Sequence, residues 1–410
     1  MRLPLIMTIL LLIPSLLIDW YIWRRCPRRA TLRGHEWRPR KWYAWSVILT
    51  ILPLVLAMLW PKRTAMANLV PVMWCLVAWV SVYLSKFIYL IFDLIGRIPR
   101  LWKGRTWKLG KYVGLPLAVV LFVLIWWSAL FTRSSVQVSQ VEIVSEKLPP
   151  AFDGFTIAQF SDAHVGSWGT DTTFISKFVN EINALHPDLI VFTGDIVNRS
   201  TDEIYPFIKP LSRLKAPMGV YSIMGNHDYG DYADWPTEEE HLAQARELRE
   251  IERKMGWHML DNETDWIRLD GDSIALIGVE NWGEPPFTRY GSLPDAYPQN
   301  AEGRVQDANY KILLSHNPMH WHEEVRTNTD IDLTLAGHTH AMQVMFGAPG
   351  TGFSPSQYRY PEWGGLYEYR NTLGASPRLY VNIGSGTVAF PARIGSAAPE
   401  ITLITLKRPN

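Results

Sequence analysis

Cysteine is almost absent from this chain of 410 residues, which contains only Cys26 and Cys75. Both lie in the first third, so residues 134–410 contain no cysteine. A disulfide framework is therefore excluded for that region, and any metal site in it must use oxygen and nitrogen ligands.

Acidic residues are scarce in the first part of the chain. Residues 1–133 contain three of them (Asp19, Glu36 and Asp93) against 19 lysines and arginines, a formal charge of +16. The rest of the chain holds 36 acidic and 21 basic residues, a formal charge of −15. A region this acidic lacks the positive face that non-specific nucleic-acid binding needs, so we expect no nucleic-acid partner.

Charged residues are also nearly missing from four apolar stretches in residues 1–133. Each stretch approaches the roughly 20 residues that cross a bilayer, and tryptophans or tyrosines lie near its ends. A cleaved signal peptide is the alternative for the first stretch, but its early part has only Arg2 and no small-residue cleavage site follows. The sequence therefore predicts an N-terminal bundle of about four transmembrane helices, at residues 3–23, 42–60, 66–85 and 112–131.

The loops between these stretches differ in charge. The first loop carries eight basic residues from Arg24 to Lys41, and the third carries six between Arg97 and Lys111. Cytoplasmic loops are enriched in lysine and arginine, so we expect the first and third loops in the cytoplasm. The sequence thus predicts a multi-pass protein of the cell membrane whose residues 134–410 lie outside the cytoplasm.

Two acids lie in or beside the predicted membrane helices. Asp19 is near the end of the first stretch, and Asp93 comes four residues before Arg97. We interpret both as interfacial or ion-paired residues rather than as functional acids. Because no pair of broken helices suggests a transport pathway, residues 1–133 are interpreted as a membrane anchor.

From residue 134 onward the sequence predicts a soluble α/β domain. Val136–Ile143 alternates like a half-exposed strand within a linker over residues 134–150. Helical segments at Thr172–Leu185 and Glu203–Leu214 separate the first three buried strands, and this βαβαβ order predicts parallel pairing over residues 151–410. The segments typical of buried strands are Phe155–Phe160, Asp188–Thr193, Gly219–Met224, Tyr310–Leu314 and Ile331–Leu335.

Each buried strand runs into a short loop with potential metal ligands. The loops supply carboxylate, amide and imidazole groups: Asp162, His164, Asp195, Asn226, His316, His338 and His340. Since sites of open α/β sheets form where the carboxyl ends of strands meet, we expect these side chains to lie together. Such mixed ligands suit Zn, Fe, Mn or Ni. Asp195 is the natural candidate to bridge two cations, which at ~3.5–4 Å apart can share and deprotonate a water molecule.

The order of these loops resembles the calcineurin-like metallophosphoesterase family. The resemblance covers about residues 136–407, and Leu148–Gly154 is similar to a membrane-associated bacterial branch. It rests on five motifs: Asp162-x-His164, Gly194-Asp195, Gly225-Asn226-His227-Asp228, His316 and Gly337-His338-Thr339-His340. The resemblance implies a four-layer α/β/β/α sandwich, preceded here by the membrane helices, with two divalent or trivalent metal ions (Mn, Zn or Fe) at one end.

The resemblance also implies a role for each residue. The first ion would be held by Asp162, His164, Asp195 and His340. The second would be held by Asp195, Asn226, His316 and His338. His227 would contact the phosphate or protonate the leaving oxygen, with Asp228 orienting its ring.

Two other segments lie close to the motifs in sequence. Ala341–Thr372 directly follows His340 and is rich in glycine, proline and aromatic residues. We expect it either to line the pocket or to pack over the sheet edge. Asp231–Arg253 is acidic and helical after Pro236, and we expect a solvated cap there.

The sequence therefore predicts a membrane-anchored phosphoesterase, a hydrolase that cleaves phosphate mono- or diesters with a hydroxide bridging two metal ions. One alternative is a pyrophosphatase or phosphodiesterase that acts on a lipid-linked headgroup. A signalling protein that binds metal without turnover is a second alternative, which the intact ligand set disfavours. A transporter with an accessory domain is a third, which the lack of polar membrane helices disfavours.

Overall fold

The computed structural model describes residues 5–32, 35–59, 68–285, 288–297, 308–370 and 376–409. The chain forms two compact units. One is mainly helical and comprises most residues up to Phe131 together with Ala389–Ala392, and the other holds the remaining residues from Thr132 onward and contains two large sheets.

The helical unit contains long helices at each of the four predicted places. Its elements, in chain order, are α1 (Leu5–Arg25), β1 (Ala30–Leu32), β2 (His35–Trp37), α2 (Pro39–Leu59), α3 (Val70–Ile95), α4 (Arg100–Lys103) and α5 (Leu115–Leu130). Among the described residues, the helical segments Val70–Trp102 and Gly110–Ser134 are long and apolar enough to cross a membrane. α3 continues past the predicted end at Ser85, so Lys86 and the residues that follow extend this helix.

Polar side chains of the helical unit pair with one another. The Asp93 carboxylate lies 2.9 Å from Arg97 Nε, which confirms the predicted ion pair. Asp19 on α1 is only 4% exposed. Its carboxylate accepts hydrogen bonds from three side chains on α2 and α3: Tyr43 (2.6 Å), Tyr83 (2.6 Å) and Lys86 (2.7 Å). Asp19 therefore links three helices through groups that all donate to it.

The second unit alternates strands with short helices. Its strands are β3 (Gln137–Val144), β4 (Thr156–Phe160), β5 (Leu189–Phe192), β6 (Val220–Ser222), β7 (Trp257–Met259), β8 (Glu263–Leu269), β9 (Asp272–Gly278), β10 (Lys311–Leu314), β11 (Leu333–Ala336), β12 (Val344–Met345), β13 (Gly365–Glu368), β14 (Arg378–Val381), β15 (Ile394–Gly395) and β16 (Glu400–Lys407). Its helices are α6 (Thr173–Ala184), α7 (Ile208–Leu211), α8 (Glu238–Lys254), α9 (Leu293–Ala296), α10 (Pro318–His320) and α11 (Arg326–Asn328).

Most of these strands form two mixed sheets, which confirms the α/β class. One sheet has the order β3-β16-β4-β5-β6-β7, and the other has the order β13-β14-β11-β10-β9-β8. β4, β5 and β6 are parallel, as the βαβαβ order predicts. β9, β10, β11 and β14 are parallel as well, so the carboxyl ends of each set lie at one edge of its sheet.

Apolar side chains fill the space between the sheets and cover their outer faces. Ile157 and Val191 of the first sheet share one buried cluster with Leu276 and Ile312 of the second. The outer face of the first sheet packs against α6 and α8, and that of the second packs against α9 and the helical turn Trp321–Val325. The two sheets are thus held rigidly behind the loops that follow their strands.

One predicted helix differs from the structure. Glu203–Leu214 was expected to be a continuous helix, but the chain forms a 3₁₀ segment over Thr201–Phe207 followed by the single turn α7. Pro206 and Pro210 lie inside this stretch. Proline lacks the N–H that an α-helix interior needs, so a continuous helix is disfavoured here.

Candidate metal centre

The predicted ligands lie in strained loops at the strand ends. Five of them have left-handed backbone conformations: Asp162 (φ 52°), His164 (φ 40°), Asp195 (φ 64°), His338 (φ 72°) and His340 (φ 51°). For a residue with a Cβ this costs about 1–3 kcal/mol, and such strain is concentrated at functional sites. Glycine allows the loops to meet, because a Cβ on Gly337 would collide with Ser161 and Asp162.

Asp162, His164 and His340 form the first group of ligands. Their candidate ligand atoms lie within 4.8 Å of one another, and all three residues are buried. His340 Nε2 is 3.1 Å from Asp162 Oδ1 and 3.1 Å from His164 Nε2. His164 Nδ1 donates to the carbonyl oxygen of Val197 at 3.0 Å, so its Nε2 carries a lone pair.

Asp195, His316 and His338 form the second group. His316 Nε2 lies 3.1 Å from Asp195 Oδ2 and 3.2 Å from both Asn226 Oδ1 and His338 Nδ1. His316 Nδ1 donates to the carbonyl oxygen of Thr193 at 2.7 Å, so Nε2 is the ring nitrogen that faces the other ligands and can bind a cation after it loses its proton. The structure therefore assembles the second predicted set as well.

Asp195 connects the two groups. Its Oδ2 lies 3.6 Å from His164 Nε2 and 3.1 Å from His316 Nε2. The structure thus brings all seven predicted ligands together at one edge of the two sheets, with Asp195 between the sets.

These residues fit a metal centre, because imidazole, carboxylate and amide ligand atoms from different loops lie against one another. His164 Nε2 lies 3.1 Å from His340 Nε2, and His316 Nε2 lies beside an amide oxygen and a carboxylate. Metal binding displaces protons from imidazole nitrogens, so a cation in each group can be held by several of these side chains at once. The groups that would bind the metal are imidazole, carboxylate and amide groups, which suit first-row transition metals.

The charges of the cluster suit metal binding. Burial raises the pKa of the Asp195 carboxyl, but His316 and His227 outweigh burial and hold that pKa well below its ordinary value. Burial lowers the pKa of His316, yet Asp195 raises it to about 9. Burial and the nearby His316 lower the pKa of His338 to about 3. The Asp195 carboxylate is thus ionised and His338 is neutral, the forms that bind cations, whereas His316 must release its proton when a cation binds.

His227 lies beside both groups. It offers a ring nitrogen within 4.8 Å of the ligand atoms of His164 and Asp195, and its ring stacks on Tyr232 with centroids 4.2 Å apart. Its Nδ1 donates to the carbonyl oxygen of Asn198 at 2.6 Å. That bond fixes the ring and leaves Nε2 as the nitrogen that can face a substrate.

Asp228 has a different role from the one expected. The prediction that it orients the His227 ring is wrong, since that ring pairs with Asn198. The buried Asp228 carboxylate instead accepts hydrogen bonds from four backbone N–H groups, those of Asp195 (2.8 Å), Ile196 (2.9 Å), Val197 (3.2 Å) and Gly225 (2.9 Å). Burial and the Asp195 charge raise its pKa to about 7. Asp228 therefore ties the loop after β5 to the loop after β6.

Three further side chains contact the proposed ligands but belong to none of the five sequence motifs. Tyr360 Oη lies 2.9 Å from His338 Nε2, so this part of the aromatic segment lines the site, whereas Tyr358 is 81% exposed. The buried Arg393 places Nη2 3.4 Å from His340 Nδ1. Tyr232 Oη accepts a hydrogen bond from the amide of the ligand Asn226 at 2.7 Å.

Comparison with known proteins agrees with this geometry. Residues 155–342 match the family model described as calcineurin-like phosphoesterase, and residues 1–133 match the one described as the probable calcineurin-like phosphoesterase transmembrane domain. The uncharacterised metallophosphoesterase YkuE of Bacillus subtilis is 32% identical over 283 residues, which is 67% of this chain and 87% of that protein.

A transmembrane protein with a metallophosphoesterase domain from Bos taurus is 29% identical over 273 residues. The match covers 66% of this chain but only 57% of the bovine protein. The ligand groups at the strand ends and these matches lead to one conclusion, that the chain belongs to the metal-dependent calcineurin-like phosphoesterase family and carries a transmembrane domain of that family.

Proposed function

We propose that the chain is a membrane-anchored phosphoesterase that hydrolyses phosphate mono- or diesters with two metal ions. The observation that carries the proposal is the meeting of two ligand groups at Asp195. One ion is held by Asp162, His164, Asp195 and His340. The other is held by Asp195, Asn226, His316 and His338. Mn, Zn and Fe are the ions that this ligand set favours.

The protein groups prepare the site for hydrolysis. Bound cations act as Lewis acids on a phosphoryl oxygen and lower the pKa of a water molecule. The carbonyl groups of Val197 and Thr193 accept hydrogen bonds from Nδ1 of His164 and His316, so Nε2 of each ring is the nitrogen available to a cation. His227 Nε2 donates a proton to the leaving oxygen from the doubly protonated ring, because Nδ1 keeps its own proton for the Asn198 carbonyl; such catalysis contributes typically 10²–10⁴-fold.

The remaining sequence predictions belong to this proposal. About four helices in residues 1–133 cross the cell membrane, and residues 151–410 form a four-layer α/β/β/α sandwich after a linker over 134–150. The match of residues 1–133 to a transmembrane domain supports the anchor. The basic first and third loops support an extracytoplasmic catalytic domain.

Metal-dependent turnover tests the proposal. The full-length chain is purified in detergent, stripped of metal, and supplied with Mn or Zn and with a nitrophenyl phosphomonoester or diester. We expect nitrophenolate release that depends on added metal and is lost in Asp162→Ala. Bound metal without hydrolysis of either ester would instead support a binding or signalling protein.

A further inference from the structure

A cavity of about 750 Å³ adjoins the candidate metal centre. Asn226, one of the proposed ligands, forms part of its wall. Tyr232 also lines it, and the same side chain contacts the Asn226 amide and stacks on His227. The cavity therefore borders the centre at Asn226, and Tyr232 lies between it and His227, the residue assigned to the leaving oxygen.

Three carboxylates line the cavity. Asp231, Asp234 and Glu238 line it, and His241 is the one basic side chain among the described lining residues. His241 Nε2 lies 3.1 Å from Asp231 and its Nδ1 lies 3.7 Å from Glu238, so one imidazole stands beside two of the three carboxylates. The segment that begins at Asp231, expected from the sequence to be a solvated cap, thus also forms part of a cavity wall through its first residues.

A buried acceptor without a partner lines the same cavity. Asn281 is 2% exposed, and its Oδ1 has no hydrogen-bond partner within the described structure. Its Nδ2 is directed to the carbonyl oxygen of Thr288 at 3.4 Å, which fixes which end of the amide is the free acceptor. A buried acceptor left unpaired is costly, so a ligand with an N–H or O–H donor is favoured here.

The aromatic part of the wall favours the same kind of ligand. Trp235 and Tyr232 both line the cavity. The Trp235 indole N–H donates to the Gly230 carbonyl at 2.8 Å, which holds the ring in place. Aromatic faces attract cations, and Trp does so most strongly.

From these observations we propose that the cavity binds the leaving group of the substrate and selects an alcohol that carries a protonated amine. The assignment of the occupant as a leaving group rests on the proposed function. The ammonium group pairs with the carboxylates and donates to Asn281 Oδ1, whereas an anionic leaving group is repelled. Hydrolysis forms a P–O bond to water and breaks the P–O bond to the amino alcohol, which departs with a proton.

Two matched pairs of substrates test this selectivity on the metal-loaded full-length chain. Phosphoethanolamine is compared with propyl phosphate, and glucosamine 6-phosphate with glucose 6-phosphate, so that each pair differs mainly in the ammonium group. In whichever pair the alcohol is of a size that fits the cavity, we expect the substrate with the amine to have a kcat/KM roughly tenfold higher than its partner. The ratio should fall to near one in the double variant Asp231→Asn/Asp234→Asn. The control Glu239→Gln changes an exposed side chain of α8, the helix that follows this loop, and should keep the ratio.

A binding measurement separates this proposal from the proposed function. Saturation-transfer NMR with ethanolamine or propanol alone needs no turnover. Equal kcat/KM within both pairs, or a ratio unchanged in the double variant, overturns the proposal. If no ester is hydrolysed, the proposed function fails, and the NMR binding measurement alone then tests the cavity assignment. Ethanolamine contact that is lost in the double variant then supports the cavity assignment, and no contact with the wild type overturns it.

Discussion

The two units of the molecule bury charged groups in opposite ways. In the helical unit, the Asp19 carboxylate meets only donors, among them the Lys86 ammonium at 2.7 Å. In the second unit, His164 Nε2 and His340 Nε2 face each other at 3.1 Å, with carboxylates beside them. Burial of a charge therefore does not by itself indicate function. The informative feature is a buried cluster of imidazole and carboxylate ligand atoms that lie within 4.8 Å of one another.

The largest expected difference between the units is topological. The helical unit has basic loops, and the acidic unit follows Arg133. We expect a reporter that works only outside the cytoplasm to be active when fused after Arg133 and inactive when fused after Arg40. A cytoplasm-only reporter should give the opposite pattern. Activity of the cytoplasm-only reporter when it is fused after Arg133 would contradict the extracytoplasmic placement of the second unit.

A substitution beside the metal centre should affect chemistry without affecting metal content. His227→Asn is expected to keep the metal ions but to lose roughly 10²–10⁴-fold in turnover on esters with basic leaving groups. The loss should shrink for nitrophenyl esters, because nitrophenolate needs little protonation.

The matched control is His186→Asn, an exposed residue with φ 49°, a conformation that asparagine tolerates. Turnover and elemental analysis of both variants check the prediction. Loss of metal together with activity in His227→Asn would show that His227 is a ligand.

Breaking the ion pair of the helical unit should affect stability instead of chemistry. Lys86→Met leaves Asp19 as a buried charge without its cation, and this is expected to cost about 3–5 kcal/mol of unfolding free energy. Asp19→Asn combined with Lys86→Met removes both charges and should recover most of that loss. Unfolding of the full-length protein in detergent measures both variants. A Lys86→Met protein as stable as the wild type would show that the pair is not structural.

A buried acid of the second unit should make stability depend on pH. Burial raises the pKa of Glu203 to about 7, although the Asn198 N–H and Arg199 favour its charged form. The fold therefore prefers protonated Glu203, so stability falls as pH rises from about 4.5 to 7 and is then lower by about 3 kcal/mol. Glu203→Gln should gain thermal stability over the wild type at pH 8 relative to pH 5. An equal difference at both pH values would contradict this, and Glu239→Gln serves as the exposed control.

The sequence predicted the position of the site because it depends on local patterns. Apolar strands that run into Asp, His and Asn can be recognised one segment at a time. Parallel pairing of β4, β5 and β6 then brings their ends together. The left-handed conformations of residues such as Asp162 and His340 were not predictable, because they depend on close packing against glycines of other loops.

Contacts between residues that are far apart in the chain could also not be predicted from the sequence. Arg393 reaches His340 across 53 residues, and no motif marks it. The Asp228 carboxylate was expected to contact the neighbouring His227. It instead accepts hydrogen bonds from four backbone N–H groups, which the tertiary structure brings together. Asp231 was interpreted as part of a solvated segment, because a cavity wall is a property of the tertiary structure.

Metal content of Asp195→Ala tests the central claim most directly. One side chain connects both ligand groups, so the wild-type chain should bind about two ions and this variant close to none. His340→Ala removes a ligand of the first group only and should retain part of the second ion. Elemental analysis of the purified full-length proteins gives the three stoichiometries. The account predicts that metal content falls from the wild type to His340→Ala and falls further to Asp195→Ala. An Asp195→Ala protein with as much metal as the wild type would contradict it.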